Sequence, residues 1–419
     1  MRRGGMPRRF AFFPARTARG RDQVRGAAMA EGLQGKKVSV VGAGIGGLAA
    51  ALAFRAQGAE VTVLEQAPEI AEVGAGIQIS PNGGAVLRAL GLGDRLDRIG
   101  LRSAAINLRN HRDGKRVLQL DLARHAADQA FYCVHRADLI GALAEAARDA
   151  GVQVRLLQQV VAVEPGPEPV LHFANGARAE AGLVVGADGL HSPVRVALNG
   201  GDAPFFTGQV AWRALVPNSA GLGPEVQLFM GPGQHMVCYP LRGGALVNIV
   251  AVREQKDWVA EGWSQEDDPD NLRAAFAGFG GLAQRLLAEV EQTGIWGLFR
   301  HPVAETWHKG RVAILGDAAH PTLPFLAQGA NLALEDAWVL ADCLARSATA
   351  GEGLAAYQAR RRGRAVRVIA AANGNAWKFH LKLPPVRAAA HMALRLGGTM
   401  APEKMVRQFD WIYRHDVTA

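Results

Sequence analysis

Residues 36–65 read KKVSVVGAGIGGLAAALAFRAQGAEVTVLE, with valine-rich runs on both sides of a glycine-rich turn. The run 36–41 predicts a buried parallel strand, 48–57 a helix that Gly58 ends, and 59–64 a second strand. This is the pattern of one βαβ unit. The apolar stretch 38–54 has the length of a short membrane span. Its four glycines follow a strand-turn-helix pattern, which favours the βαβ interpretation.

The turn between strand and helix has the spacing GxGxxG. Gly42 permits the tight turn, Gly44 lets a pyrophosphate approach the backbone, and Gly47 lets the helix pack close to the strand. With Ile45 and Gly46, they open the helix, whose N-terminus offers unpaired N–H groups and a positive dipole end to phosphates. The turn therefore predicts a dinucleotide site.

Three carboxylates follow predicted strands. Glu65 comes 23 residues after Gly42, where a carboxylate can accept hydrogen bonds from both ribose hydroxyls of an adenosine. Asp188 lies in Gly186-Ala187-Asp188-Gly189, and Asp317 follows Gly316 in a similar turn of small residues. Alone, either aspartate would fit an ordinary Asx turn. With the glycine turn, they predict three contributions to one dinucleotide site.

Charge and cysteine content exclude other classes. Residues 1–28 contain eight arginines and one acid, which is +7 of the net +9 and leaves +2 for residues 29–419. A near-neutral body argues against nucleic-acid binding. We interpret the leader as a start assigned too early, with Met29 as the first residue; a transit peptide is the alternative. Three cysteines without a CxxC pair predict no metal site, no disulfide framework and a cytoplasmic location.

In this order, the glycine fingerprint, the Asp188-Gly189 motif and the Gly316-Asp317 motif resemble the FAD-dependent aromatic hydroxylase family. These are single-component flavoprotein monooxygenases and include salicylate hydroxylase. The resemblance covers residues 36–419. Weaker companions are the segments 74–78, 80–82 and 135–139, and the C-terminal stretch 411–417. The residues 139–150 also predict an amphipathic helix, with Asp138 as its N-cap.

The resemblance implies an α/β fold. We expect a Rossmann-like FAD-binding domain with a parallel sheet, discontinuous in sequence, a smaller and mainly antiparallel β substrate domain, and C-terminal helices. Strands predicted at 209–216, 226–230, 235–241 and 245–254, separated by Gly/Pro turns, fit the second domain. The expected boundaries are a basic leader over 1–28, FAD-binding parts over 36–200 and 306–350, a substrate-binding domain over 201–305, and a helical region over 351–419.

The resemblance also implies roles around FAD. Asp317, next to Gly316, would hydrogen-bond the ribityl chain, and Asp188 would serve both FAD and a passing nicotinamide cofactor. Arg136 would lie near the pyrophosphate, and Gln78 belongs to the segment that borders the flavin.

A helix predicted over 329–345 would place its N-terminus against the flavin ring. Gly329 and Ala330 open this helix after Gln328, and its dipole can stabilise negative charge on reduced flavin. Asn331 would pair with a ring carbonyl or N3. His320 fits a structural role in its turn at least as well as a catalytic one.

Five residues are substrate-site candidates. Arg213 can meet a carboxylate, and His235 and Tyr239 have the same-face spacing of a strand. A structural ion pair, an exposed turn and a core position are the respective alternatives. Pro324 and Phe325 precede the flavin-facing helix. Some salicylate-hydroxylating members have histidine at the position of Phe325, so phenylalanine indicates a more apolar pocket.

The implied function is an FAD-dependent monooxygenase that uses NADH or NADPH and O2 to hydroxylate a small hydroxybenzoate- or salicylate-like ring through a flavin C4a-hydroperoxide. No second GxGxxG follows a strand, so the nicotinamide cofactor would bind transiently. We expect a monomer or homodimer without stable membrane insertion. The alternatives are an epoxidase or ubiquinone-pathway hydroxylase acting on a lipid, and a non-catalytic flavin-binding redox module. The basic run 360–364 is interpreted as a solvated helix face paired with nearby acids; binding to an anion or a membrane surface is the alternative.

Overall fold

The computed structural model describes residues 32–70, 75–201, 204–255, 257 and 265–419, without the side chains of 375–377. The predicted leader over 1–28 and position 74 of the flavin-bordering segment lie outside the described residues.

The described residues form twenty strands and thirteen α-helices, which are numbered in chain order. The strands are β1 Lys37–Val41, β2 Glu60–Leu64, β3 Gly76–Ile79, β4 Gly100–Arg102, β5 Ala105–Asn110, β6 Arg116–Asp121, β7 Tyr132–His135, β8 Gln153–Arg155, β9 Val160–Glu164, β10 Val170–Phe173, β11 Arg178–Glu180, β12 Leu183–Gly186, β13 Phe205–Pro217, β14 Glu225–Gly231, β15 Gln234–Leu241, β16 Leu246–Glu254, β17 Glu266–Asp267, β18 Thr293–Arg300, β19 His308–Lys309 and β20 Val312–Ile314. The helices are α1 Ile45–Ala56, α2 Pro81–Ala89, α3 Gly93–Ile99, α4 Leu122–His125, α5 Arg136–Asp149, α6 Pro193–Asn199, α7 Pro269–Ala275, α8 Leu282–Ala288, α9 Gly329–Arg346, α10 Ala350–Ala376, α11 Pro384–Met400, α12 Pro402–Arg407 and α13 Asp410–Tyr413. Among the described residues, no helix combines the length and the apolar character that crossing a bilayer requires.

A six-stranded sheet in the order β19-β20-β12-β1-β2-β8 forms the first domain, and β1 lies near its centre. β1 pairs in parallel with β2 and with β12, and β12 pairs in parallel with β20. Helices α1 and α9 bury their apolar residues in the same core as these strands. The predicted Rossmann-like domain, built from distant parts of the chain, is confirmed.

The second large sheet has eight strands in the order β17-β18-β13-β16-β15-β14-β5-β6 and is mainly antiparallel. One face packs against α7 and α8 through a cluster that includes Trp212, Phe276 and Leu286. The strands β5 and β6 extend this sheet, although we predicted residues 36–200 as part of the FAD-binding domain. Their sequences are typical of half-buried strands, and periodicity alone does not tell which sheet such strands join.

A three-stranded sheet, β3-β7-β4, leads into α5. β7 ends at His135, and α5 begins at Arg136 with His135 at the N-cap position. The prediction that Asp138 caps a helix beginning at Leu139 was therefore wrong. Asp138 instead lies in the first turn, where its carboxylate accepts hydrogen bonds from Arg242 at 2.7 and 2.9 Å.

A buried ionic cluster joins α9 to α10. Glu335 and Asp336 on α9 are fully buried, and Arg361 of α10 is 1% exposed. Arg361 donates from Nε to Asp336 at 2.7 Å and from Nη1 to Glu335, and Arg364 donates to Glu335 at 2.7 Å. The predicted pairing of 360–364 with nearby acids is confirmed for these two arginines. The predicted solvated face is wrong for them, because they neutralise interior carboxylates.

We predict that Arg361→Ala lowers the free energy of unfolding by about 3–5 kcal/mol, because it leaves two buried carboxylates without their main counter-charge. Chemical denaturation of the purified protein measures this change. Arg360→Ala is the matched control, since Arg360 is 48% exposed in its ion pair with Asp342, and such pairs contribute about 1 kcal/mol or less. Equal losses in both variants would contradict the assignment.

Candidate active site

The three predicted turns lie at one edge of the parallel sheet. Val41 at the end of β1 pairs with Gly186 of β12, and Gly186 pairs with Ile314 of β20. Because parallel strands end at the same edge, the segments that follow them are neighbours. Ala187 donates its backbone N–H to Val41 O at 2.8 Å, and Leu315 donates to Gly186 O at 3.0 Å. The chain therefore brings its glycine-and-carboxylate turns together.

The glycine turn has the geometry that its spacing predicts. Gly42 has φ +99°, and a Cβ there would lie 2.5 Å from Ala187 O. At Gly47 a Cβ would lie 2.0 Å from Gly42 O, so the helix packs directly on the turn. At Gly44 a Cβ would meet no atom of the described chain within 4 Å. This open side leaves room for a ligand to approach the backbone.

The N-terminus of α1 faces this open side without a side-chain cap. Gly44 occupies the N-cap position, and no side-chain oxygen there accepts a hydrogen bond. The first N–H groups of a helix have no intrahelical acceptor. Those of Ile45, Gly46 and Gly47 are therefore available to an anion, which the helix dipole favours.

Glu65 lies directly after β2, against the glycine turn. Its Oε2 accepts the backbone N–H of Ala43 at 2.7 Å, and its Oε1 accepts that of Ala67 at 2.9 Å. A carboxylate has about four acceptor positions, so both oxygens keep capacity for ligand hydroxyl groups.

Asp317 lies after β20 at the same edge, next to the N-terminus of α9. Asp317 is exposed, while its neighbours Gly316 and Ala318 are buried. A Cβ built on Gly329 would lie 3.9 Å from its Oδ1. Desolvation raises the pKa of Asp317, while positive charge at His320, Arg136 and His301 opposes the rise. Arg136 thus lies close enough to act on the same edge.

One face of the eight-stranded sheet lies against Gly76 of β3 and Phe325, which precedes α9. The region between this face and those two segments is called the cleft, and the face is its wall. Arg213 of β13 pairs with Val250 of β16, and Val250 in turn pairs with Val237 of β15. His235 and Tyr239 lie two residues before and after Val237, so all three predicted side chains share this face. The face closes on the first domain through Gly76 and Phe325.

The contacts across the cleft are specific. Gly76 of β3 donates its N–H to the buried Asn248 Oδ1 at 2.7 Å, and a Cβ on Gly76 would lie 2.6 Å from the Tyr239 ring. The ring centroids of Phe325 and His235 are 6.0 Å apart. The two sides are therefore closely packed here, with aromatic groups at the contact.

Comparisons with known proteins agree with this geometry. A family model described as an FAD binding domain matches residues 36–372. A 3-amino-4-hydroxybenzoate 2-monooxygenase of Streptomyces platensis is 38% identical over 386 residues, 90% of this chain and 95% of that protein. A 3-hydroxybenzoate 6-hydroxylase of Aquipseudomonas alcaligenes is 33% identical over 395 residues, 90% and 97% of the two chains.

The fold matches as well. The crystal structure of Klebsiella pneumoniae HpxO with FAD and uric acid has a TM-score of 0.77 and 28% identity, covering 88% of this chain and 96% of that one. This chain belongs to the FAD-dependent aromatic hydroxylase family. It is an FAD-dependent monooxygenase, as the motifs predicted.

Two features of the hydroxylase fit the binding of FAD. The Gly44 side of the turn is open where a pyrophosphate must approach, and the uncapped start of α1 provides its N–H donors. The start of α9 also lacks a side-chain cap. It provides a second set of free N–H groups, next to Asp317.

The Asn331 side chain does not have the role predicted for it, which was to pair with the flavin ring. Its side chain is fully buried. Oδ1 accepts the N–H of Ser80 at 3.0 Å, and Nδ2 donates to the carbonyls of Gln78 and Ala327 at 3.1 and 2.7 Å. The side chain is therefore not available to pair with the flavin ring. It clamps β3 to α9 and holds Ala327 at φ +53°; only its backbone N–H faces the ligand side with those of Gly329 and Ala330.

The side chains of Asp188 and His320 bond to other residues of the hydroxylase. Asp188 accepts the Ser192 hydroxyl at 2.5 Å and the Val194 N–H at 3.3 Å, so it fixes the start of α6. Desolvation raises its pKa to about 6, although these bonds oppose the rise. His320 is fully buried and bonds through Nε2 to Asp336. The structural interpretation of His320 is confirmed.

The substrate-site candidates lie together, with different exposure. His235 is 4% and Tyr239 5% exposed, so the alternative of His235 at an exposed turn is excluded. Arg213 lies over the Trp296 ring at 5.2 Å. Phe325 is half-buried against this wall, while Pro324 is exposed.

Two residues of this wall, Asn248 and His380, were not among the predicted site residues. Asn248 stands in the apolar stretch of β16, and a lone polar residue in such a strand was a signal for a specific buried hydrogen bond. His380 follows α10, far along the chain, and contacts His235. No local pattern predicts that contact.

We predict that Gly44→Ala and Gly47→Ala fail in different ways. Gly44→Ala should fold with unchanged melting temperature when free of FAD but retain little FAD, because its methyl group occupies the approach of the pyrophosphate. Gly47→Ala should lower the free energy of unfolding by about 1–3 kcal/mol through overpacking against Gly42. Thermal unfolding and the flavin absorbance of the purified proteins separate the two. Normal FAD retention in Gly44→Ala would contradict the assigned approach.

Proposed function

We propose that this monooxygenase hydroxylates a small aromatic ring that carries a carboxylate and a hydroxyl group. Arg213 would bind the carboxylate, and His235 and Tyr239 would lie at the hydroxyl group. The supporting observation is that these three side chains share one face of the eight-stranded sheet, where Phe325 of the segment before α9 contacts His235. The names of the two relatives describe hydroxylated benzoates. They favour this proposal over a lipid substrate and over a non-catalytic flavin module.

The setting of Arg213 suits a carboxylate. Its guanidinium lies over Trp296, and Val237 and Val250 lie beside it on the same face. An arginine held on an aromatic ring is oriented for bidentate recognition. Apolar surroundings strengthen its attraction to a negative charge.

The hydroxyl end of the ring would meet one donor and one acceptor. Burial raises the pKa of Tyr239, so its phenol stays protonated and can donate a hydrogen bond. Burial and His380 hold the pKa of His235 well below its usual value. A neutral imidazole can accept the substrate proton, which makes the ring more electron-rich.

For the cofactor, we propose that Gly44 and the start of α1 hold the pyrophosphate, with Arg136 nearby. Glu65 would bind the ribose and Asp317 the ribityl chain. The N-terminus of α9, beside Gln78, would face the flavin ring. Once reduced by NADH or NADPH, bound FAD supplies the activation of O2 that hydroxylation needs.

The chain's own contribution is to position the ring and exclude water. Phe325, Tyr239 and His235 bring aromatic surface to the cleft and leave little of it exposed. The proposal includes a cytoplasmic enzyme that acts as a monomer or homodimer.

We predict that Asp317→Ala weakens FAD binding about 10- to 100-fold, the loss expected for a hydrogen bond to a charged group. Titration of the FAD-free protein, followed by flavin fluorescence, measures it. Asp149→Ala, with a 67% exposed side chain, is the control and should bind as the unmodified chain does. Unchanged affinity in Asp317→Ala would sink the ribityl assignment.

We predict that Arg213→Met raises the KM for 3-hydroxybenzoate about 10- to 100-fold, by loss of a charge-assisted pair. The KM for uncharged 3-hydroxybenzamide should change little. The assay follows NAD(P)H consumption together with hydroxylated product and peroxide, and includes 3-amino-4-hydroxybenzoate. Peroxide without product from every hydroxylated benzoate would contradict the proposed function.

Arg253→Met is the matched control for this experiment. Arg253 lies on the adjacent strand β16, pairs with Val210, and is exposed on the opposite side of the sheet. Equal changes in KM for the acid and the amide in Arg213→Met would argue against a carboxylate contact.

A further inference from the structure

We propose that His380 and Glu254 form a proton relay with His235 and carry the proton of the substrate hydroxyl group from the cleft to solvent. This inference rests on the proposed role of His235 at that hydroxyl. His380 and Glu254 are positioning residues, because they act on the substrate only through His235.

The three side chains form a continuous hydrogen-bonded chain. His235 Nδ1 lies 2.7 Å from His380 Nε2, and His380 Nδ1 lies 3.1 Å from Glu254 Oε1. Glu254 Oε2 pairs with Lys382 Nζ at 2.5 Å. The exposed fraction of the side chain rises outward along these hydrogen bonds, from 2% at His380 to 33% at Glu254 and 66% at Lys382. The chain therefore connects the buried wall of the cleft to solvent.

The acceptor at the outer end determines the protonation of both rings. An ionised carboxylate only accepts, so His380 must donate from Nδ1 and accept at Nε2. His235 must then donate from Nδ1, which leaves the lone pair on its Nε2. Among the described residues, that Nε2 has no hydrogen-bond partner. It is therefore the nitrogen available to a substrate hydroxyl group.

The groups around the two imidazole rings keep both rings neutral until a proton arrives. The rings of Phe325 and Phe379 face His235. Burial lowers the pKa of His235, and the neighbouring His380 lowers it further. Burial lowers the pKa of His380, and Glu254 opposes this. Bonds from Lys382 and His380 lower the pKa of Glu254, although burial opposes them.

The transfer balances without an oxidant or reductant. The substrate O–H bond breaks, its electron pair stays on oxygen, and the proton joins His235 Nε2. His235 passes its Nδ1 proton to His380 Nε2, and His380 passes its own Nδ1 proton to Glu254, which releases it to water. The intermediate imidazolium on His380 would be stabilised by the adjacent carboxylate.

The first experiment measures ionisation of a bound substrate in the FAD-loaded enzyme without NAD(P)H. The probe is 3-amino-4-hydroxybenzoate, whose phenol and phenolate differ in ultraviolet absorbance. We expect it to ionise at lower pH when bound than when free. In His380→Gln and Glu254→Gln the midpoint should rise by at least about one pH unit, a tenfold loss of phenolate. Midpoints equal to that of the unmodified enzyme in both variants would overturn the relay.

Two variants separate the relay from general damage. Glu254→Asp keeps an anionic acceptor and should ionise the probe at a midpoint closer to the unmodified enzyme than Glu254→Gln does. His111→Gln replaces another histidine, which is 6% exposed and packs its ring against Phe279 outside the relay, and should leave the midpoint unchanged. A rise in His111→Gln as large as that in His380→Gln would also count against the relay.

The second experiment needs no substrate. Nitrogen-15 NMR of the histidine-labelled chain should find protons on Nδ1 of both His235 and His380 and none on Nε2. A proton on His235 Nε2 would overturn the relay, whatever the substrate. Failure of the unmodified enzyme to bind the acid would instead contradict the proposed function, and the NMR result would then decide the proton arrangement alone.

Discussion

The buried carboxylates Glu335 and Asp336 are the constraint on which the site depends. Two adjacent charges in the interior are tolerated only when they are paired and hydrogen-bonded. Arg361 and Arg364 supply the positive charge from α10, and Asn82 donates to Glu335 at 2.6 Å from the start of α2. A shift of α9 would break several of these bonds together. Its position relative to the parallel sheet is therefore determined by charge neutralisation as well as by packing.

This constraint aligns the parts that must meet. Arg364 also donates to the backbone carbonyls of Trp411 and Ile412, which docks the C-terminal segment beside α9. Asn331, one turn before the carboxylates, clamps β3 to the same helix. The start of α9 is thereby held next to Asp317, with no side-chain cap on its first N–H groups. A dipole aimed in advance needs no reorganisation when negative charge develops.

Prediction from the sequence was most accurate where a feature depends on neighbouring residues. The turns at Gly42, Asp188 and Asp317 each require small residues and special backbone angles, so their short motifs carry the information. It was wrong where partners are remote. Asp138 looked like a cap but pairs with Arg242, and Arg361 looked solvated but is buried, since a charged side chain in a helix does not reveal its distant partner. The proposed relay has the same character, because His380 lies 145 positions from His235.

By itself, the sequence determined that a βαβ unit binds a dinucleotide, that two later aspartate turns follow parallel strands, and that the chain is a flavin hydroxylase. The first two conclusions rest on backbone geometry, which neighbouring residues dictate, and the third rests on the resemblance of the motifs to a known family. Only the tertiary structure decided that β5 and β6 extend the substrate sheet, that the Asn331 amide bonds to protein, and that His380 meets His235. Such contacts depend on which surfaces pack together, and the free energy of packing is spread over residues far apart in the chain.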